Sequence, residues 1–166
     1  MKGVVLHGGK GTRLRPLTHT GPKQLILVAN KPISQYAIED LKAAGITEIA
    51  IVLGDMYPER VKEYYGDGAK FGVKIHYINQ GYPKGIAHAI GLCEDFVKQE
   101  PFVVHLGDNL IEHGISKYTK DFENSRCDAA ILLAKVSDLT GYGVPVFNKN
   151  GEVISVEEKP RKPKSE

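Results

Sequence analysis

The chain has 166 residues and a formal net charge of +2 at pH 7, so it is long enough to bury a core and lacks the strong basic field of a nucleic-acid binder. Its 42% hydrophobic and 25% charged residues are those of a soluble globular protein, and no apolar run approaches the length of a membrane span. Cys93 and Cys127 form no zinc-type pair and sit in apolar contexts, which suits buried thiols in a reducing compartment.

In chain order, Met1-Lys2-Gly3 leads straight into an apolar stretch. That leaves no room for a signal peptide, and the expected location is cytoplasmic. Val4-Val5-Leu6 predicts a first strand buried on both faces. It breaks at His7 into Gly8-Gly9-Lys10-Gly11, followed by Thr12, Arg13 and Arg15. Glycines let the main chain turn sharply and approach a ligand. The exposed N–H groups of such a loop form an anion-binding concavity, and arginines fork onto phosphate oxygens. The run reads as a phosphate-binding loop at the carboxyl end of a first parallel strand, or as a plain strand-to-helix turn. It is neither a P-loop nor the dinucleotide fingerprint, because Leu14 stands where the third fingerprint glycine belongs. That absence disfavours a dehydrogenase.

Thr20 to Pro32 holds prolines, Gly21 and Asn30 and predicts a long irregular connection. Lys23, stiffened by Pro22, is either a solvated lysine or a presented charge. Pro32 to Ala44 reads as a helix stopped at Gly45, Ile46 to Leu53 as a second buried strand, and Tyr57 to Tyr65 as a short helix. Val73 to Ile78 alternates as a third strand. Gln80 then opens a polar loop with Gly81, Pro83 and Gly85, ahead of an Ala-rich helix reaching about Lys98. Gln80, at the strand's carboxyl end, offers a donor and an acceptor suited to the edge of a pyrimidine, or simply caps the loop. His88 reads as a helix-face packing or surface residue.

Phe102 to Leu106 is a fourth strand ending in Gly107-Asp108-Asn109. Asp108 is placed as a metal ligand or as the N-cap of a following helix. Ile115 to Asn124 reads as that helix, and Cys127 to Val136 as a fifth buried strand. Gly141 to Val144 turns into a strand reaching Phe147, Asn148 to Gly151 is a hairpin turn, and Val153 to Glu157 is the last strand. Glu157 and Glu158 face opposite sides of it. The alternation predicts a Rossmann-like, three-layer α/β/α fold with a mostly parallel sheet, edged by an antiparallel piece near the end.

Gly-Gly-Lys-Gly-Thr-Arg-Leu-Arg-Pro-Leu-Thr at 8–18, Pro-Lys-Gln-Leu at 22–25, Gln80 with Gly85, Leu-Gly-Asp-Asn at 106–109, Tyr-Gly-Val at 142–144 and Glu-Glu-Lys-Pro at 157–160 together resemble the sugar nucleotidyltransferases, the nucleoside-diphosphate-sugar pyrophosphorylases. The resemblance spans the chain and is most like the long-form glucose-1-phosphate thymidylyltransferases. Two departures are His7, where a small residue is usual, and Leu27, where proline is usual. The resemblance implies that dTTP and glucose 1-phosphate give dTDP-glucose and pyrophosphate with Mg²⁺, with UTP or another sugar 1-phosphate, or a non-catalytic nucleotide-binding module, as the alternatives. Pockets for thymine and uracil differ by one methyl, too little for sequence to separate them.

The resemblance further implies roles. Leu6, Gly8, Gly9, Gly11 and Thr12 would hold the nucleotide, with Arg13 neutralising the leaving pyrophosphate and Lys23 the α-phosphate. Gln80 and Gly85 would read the base, and Asp108 would ligate Mg²⁺. Tyr142, Gly143, Glu158 and Lys159 would bind the sugar phosphate, Lys159 at its phosphate. Residues 1–166 are expected to form an incomplete catalytic domain, because the family's domain continues with further strands and a second metal aspartate. The expectation is retained triphosphate binding with reduced or absent turnover, and apolar edges that favour a homo-oligomer. No nucleic-acid or membrane partner is expected.

Overall fold

The computed structural model describes residues 1–82, 84–139 and 141–160. The chain divides into two compact units, Met1–Arg126 and Cys127–Glu166. The first opens with β1 (Lys2–His7), buried at every position, as an unbroken apolar run requires. Three single 3₁₀ turns, Thr12–Leu14, Leu17–His19 and Lys23–Leu25, carry the irregular connection. It ends in a small antiparallel pair, β2 (Leu27–Val28) and β3 (Lys31–Pro32).

Then follow α1 (Ile33–Ala43), β4 (Glu48–Gly54), α2 (Pro58–Tyr65), β5 (Lys74–Gly81), α3 (Ile86–Gly91), α4 (Glu94–Val97), β6 (Phe102–Leu106) and α5 (Ser116–Glu123). The main sheet has the order β5-β4-β1-β6 with every pair parallel. The chain steps outward from β1 through β4 to β5, then returns to pair β6 on the other side of β1. That reversal is the switch point where open α/β sheets leave a crevice beyond their carboxyl ends.

Alternation along the strands divides the core into two layers. Val5, Ile49, Ile51 and Leu53 meet Ala37, Ile38 and Leu41 of α1 and Val61 and Tyr65 of α2. Val4, Leu6 and Val52 meet Ala89 of α3, Cys93, and Val97 of α4 on the other face. The three-layer expectation holds. Burying each large apolar side chain contributes about 1.5–3 kcal/mol before entropy is counted.

The expected single helix to Lys98 is two short ones, because the chain tightens at Gly91 to Cys93, where the Cys93 N–H bonds the Ile90 carbonyl at 2.9 Å. In the second unit, β7 (Gly143–Phe147) and β8 (Val153–Glu158) form a hairpin. Among the described residues this hairpin is a separate two-stranded sheet and does not edge the parallel one. The expected strand at 127–136 is not formed. That segment has no regular structure, Ile131, Leu132 and Leu133 are half exposed, and Cys127 is exposed where burial was expected, while Cys93 is buried. An apolar run states a preference for burial, but strand formation needs a partner edge that only long-range pairing supplies.

Candidate active site

The glycine loop leaves β1 at the carboxyl end of the sheet. Gly9 and Gly11 have φ of +92° and +61°, values that L side chains rarely adopt. The loop carbonyls are held from behind: Gln24 Nε2 donates to the Gly8 carbonyl at 2.7 Å, and Thr18 Oγ1 donates to the Gly11 carbonyl at 2.8 Å. Among the described residues none accepts from the N–H groups of Gly9, Lys10 or Gly11. The loop therefore has its acceptors committed and its donors available, the pattern of an anion-binding concavity.

Gln24 belongs to a buried chain of hydrogen bonds. Its carbonyl accepts from Ser34 Oγ at 2.9 Å, and Ser34 Oγ lies 2.6 Å from the Tyr65 hydroxyl. Gln24, Ser34 and Tyr65 are all fully buried. With the Ser34 proton given to Gln24, Tyr65 donates to Ser34, and burial raises the Tyr65 phenol well above its ordinary value. Helix α2 thereby supports the loop through α1.

A cavity of about 250 Å³ opens beside the loop, lined by Leu6, Gly8, Gly9, Lys23, Val52, Gln80, Gly85, Ile86, Ala89, Leu106 and Asp108. It joins the carboxyl ends of β1, β4, β5 and β6 to α3. Seven residues singled out in the sequence thus meet in one space: Leu6, Gly8, Gly9, Lys23, Gln80, Gly85 and Asp108. Gly11 stands outside the lining, and Thr12 and Arg13 lie exposed on the 3₁₀ turn that follows it. A larger depression of about 540 Å³ lies between α1 and the 69–71 turn. It has no glycine loop and no strand end, so the smaller cavity is the candidate site.

Lys23 Nζ is hydrogen-bonded to Asp108 Oδ2, so the two charges placed at the cavity neutralise each other. Asp108 sits in the turn after β6. Helix α5 starts behind Ile115, so the N-cap reading of Asp108 is not realised, and its carboxylate meets Lys23 instead. Gln80 Nε2 donates to the Gly85 carbonyl at 3.1 Å and lies 3.2 Å from His88 Nδ1. The loop-capping reading of Gln80 is realised, without removing the residue from the cavity.

His7 points to the opposite side of β1 from Leu6. It packs edge-on to Tyr65 with ring centroids 6.0 Å apart, and neither ring nitrogen has a partner among the described residues. Burial pushes it down to about 3; Asp108 pulls it upward and Lys23 downward, neither enough to reverse this. It stays neutral, as a packing residue.

In the second unit the four sugar-side residues gather at one end of the hairpin. Gly143 pairs with Glu158 across the strands, Lys159 N–H donates to the Tyr142 carbonyl at 2.9 Å, and Lys159 Nζ lies 3.3 Å from Glu158 Oε1. A Cβ on Gly143 would meet Val156 Cγ1 at 3.0 Å.

The family model described as "Nucleotidyl transferase" matches residues 2–166. The chain belongs to the nucleotidyl transferase family. It is 49% identical over 167 residues to a glucose-1-phosphate thymidylyltransferase of Streptomyces antibioticus, covering 100% of this chain and 47% of that protein. It is 48% identical over 163 residues to a low-salt glycan biosynthesis nucleotidyltransferase of Haloferax volcanii, covering 98% of this chain and 46% of the relative. The chain thus spans about half the length of the curated relatives it matches. Among solved structures, one named as a glucose-1-phosphate thymidylyltransferase from Bacillus anthracis, in complex with a sucrose, superposes with a TM-score of 0.93 at 41% identity, over 99% of this chain and 67% of that one. A UDP-glucose pyrophosphorylase complexed with UDP-glucose gives 0.75 at 28% identity, over 96% and 69%.

Sequence reasoning about this member of the family missed the contacts of Gln24, Thr18 and His88. Gln24 lay inside a quoted motif but reads as one more loop residue, since nothing local shows that its amide reaches back to Gly8. The apolar lining from Val52, Ile86, Ala89 and Leu106 reads as ordinary core.

Proposed function

We propose that the protein to which this chain belongs transfers a thymidylyl group from dTTP to glucose 1-phosphate, giving dTDP-glucose and pyrophosphate, with Mg²⁺ as cofactor. The observation that carries it is the cavity, where available loop N–H donors, the Lys23–Asp108 pair and the Gln80 carboxamide share one space. The names of the relatives support the same reaction. Both units are read as parts of one catalytic domain, supported by the family match over 2–166.

In this reaction a phosphate oxygen of the sugar phosphate attacks the α-phosphorus, and the bond to the bridging oxygen breaks as pyrophosphate leaves. The protein's work is positioning and charge neutralisation. N–H groups of the glycine loop and Thr12 hold the triphosphate, with Arg13 at the leaving pyrophosphate. Phosphate oxygens compete with Asp108 for Lys23, which then meets charge at the α-phosphate. Leu6 walls the base pocket, and Gln80 and Gly85 read the base edge. Tyr142, Gly143, Glu158 and Lys159 hold the sugar phosphate.

For Mg²⁺, Asp108 is the carboxylate that lines the cavity, and no group of three or more His, Cys, Asp or Glu side chains among the described residues is placed to hold a metal. A cation that keeps several waters and takes one or two carboxylates plus phosphate oxygens fits that donor set. When bound, it would neutralise charge on the phosphates.

Pyrophosphate release with Mg²⁺, glucose 1-phosphate and either dTTP or UTP tests the reading. Release with dTTP above UTP is the expected result. UTP above dTTP moves the substrate to the uridine nucleotide, and triphosphate binding without release makes this chain a nucleotide-binding module.

A further inference from the structure

The two hydrogens of the Gln80 amide are both committed. One is donated to the Gly85 carbonyl at 3.1 Å, the other to His88 Nδ1 at 3.2 Å. A carbonyl oxygen only accepts, so the NH₂ group of Gln80, not its oxygen, must face Gly85. With Nε2 so placed, His88 Nδ1 has to be the accepting nitrogen, and the imidazole proton sits on Nε2. What remains of the amide is Oε1. It faces Gly8 across the cavity, 3.8 Å from where a Gly8 Cβ would lie.

Gly85 has a φ of +98° and belongs to the loop that Gln80 ties, so this bond links the amide only to its own loop. His88 lies in the first turn of α3, next to the buried Ala89 that packs this helix against the sheet. We propose that His88 is a positioning residue for base recognition, which holds Gln80 with its oxygen toward the cavity and so selects pyrimidines carrying a proton on N3 over those with a bare N3. Thymine and uracil present a donor there, and cytosine presents an acceptor. The inference rests on the nucleotide reading above and deepens it.

The test is equilibrium binding of dTTP and dCTP to the unmodified chain and to three variants. Both ligands carry the same triphosphate and deoxyribose, so damage to the pocket weakens them alike while loss of amide orientation changes their ratio. The chain is expected to favour dTTP by about 100-fold, the scale of one mismatched hydrogen bond at a desolvated site. His88→Ala, and His88→Leu as the bulkier variant without an acceptor, should bring the ratio below about tenfold, chiefly by admitting dCTP. His88→Gln, which restores an acceptor on the same helix face, should recover it.

An unchanged ratio in His88→Ala and His88→Leu overturns the proposal, even if both ligands bind more weakly. So does an unmodified chain that binds dTTP and dCTP equally. A chain that binds neither overturns the nucleotide reading and this proposal with it, an outcome seen before any variant is made.

Discussion

Replacing His7 by leucine should flatten the pH dependence of stability. In the folded chain His7 has neither nitrogen bonded to a described residue and is pushed by burial from 6.5 to about 3. Its folded value lies below its unfolded value, so between them the unfolded chain binds the extra proton. The stability linked to neutral His7 is therefore present above about pH 6.5 and lost as pH falls toward about 3. The slope approaches about 1.4 kcal/mol per pH unit in the middle of that window, and going from about pH 7.5 to about pH 5.5 costs about 1.4 kcal/mol. At a denaturant sensitivity of about 2 kcal/mol per molar, that is a fall of about 0.7 M in the urea midpoint. Far-UV circular dichroism of urea unfolding at both pH values measures it, in the unmodified chain and in His7→Leu. The other histidine–carboxylate pairs, His105 with Asp40 and His76 with Glu48, are common to both proteins and cancel in the difference. Leucine keeps the packing against Tyr65 and removes the titrating group, so the variant should lose about 1.4 kcal/mol less over this interval. Equal pH dependence in the two proteins would refute the argument that His7 is buried neutral.

Gln24→Leu strips the Gly8 carbonyl of its donor inside the protein and should cost about 1–3 kcal/mol. The urea midpoint reads the cost, and calorimetry should show weaker dTTP binding as the loop loses its brace. Gly11→Ala places a Cβ at φ +61° and 2.7 Å from Thr18 Cγ2, a strain of about 1–3 kcal/mol. It should reduce triphosphate affinity more than it lowers the unfolding midpoint. Asp108→Asn keeps the shape of the turn and removes the charge that meets Lys23. Under the proposed reaction it should abolish the dependence of dTTP binding on Mg²⁺ and slow pyrophosphate release by about 100-fold, and unchanged Mg²⁺ dependence would contradict the assigned ligand.

The sequence by itself determined the strand at Lys2–His7, the glycine loop after it, and the alternation of the four sheet strands with helices through Ser116–Glu123, but not the small β2–β3 pair or the division of the helix after Gly85 into two. Each is written in local terms: an apolar run buried on both faces, glycines at positive φ, and apolar residues at helical spacing. It also determined the identity of the cavity's polar residues, because Lys23, Gln80 and Asp108 follow strand ends or stiff loop positions that motifs mark. Only the tertiary structure decided what those residues do to one another. That Lys23 meets Asp108, that Gln24 braces Gly8 through a chain reaching Tyr65, and that His88 uses the second hydrogen of Gln80 are contacts between residues distant in sequence or on different elements, and no local pattern encodes them. The same reason explains the error at 127–136. Its residues are as apolar as those of β4, but β4 lies between β1 and β5 and pairs with both, whereas the 127–136 run joins no described sheet. Hydrophobic pattern sets which residues would gain from burial, and strand pairing, a long-range event, decides which of them obtain it.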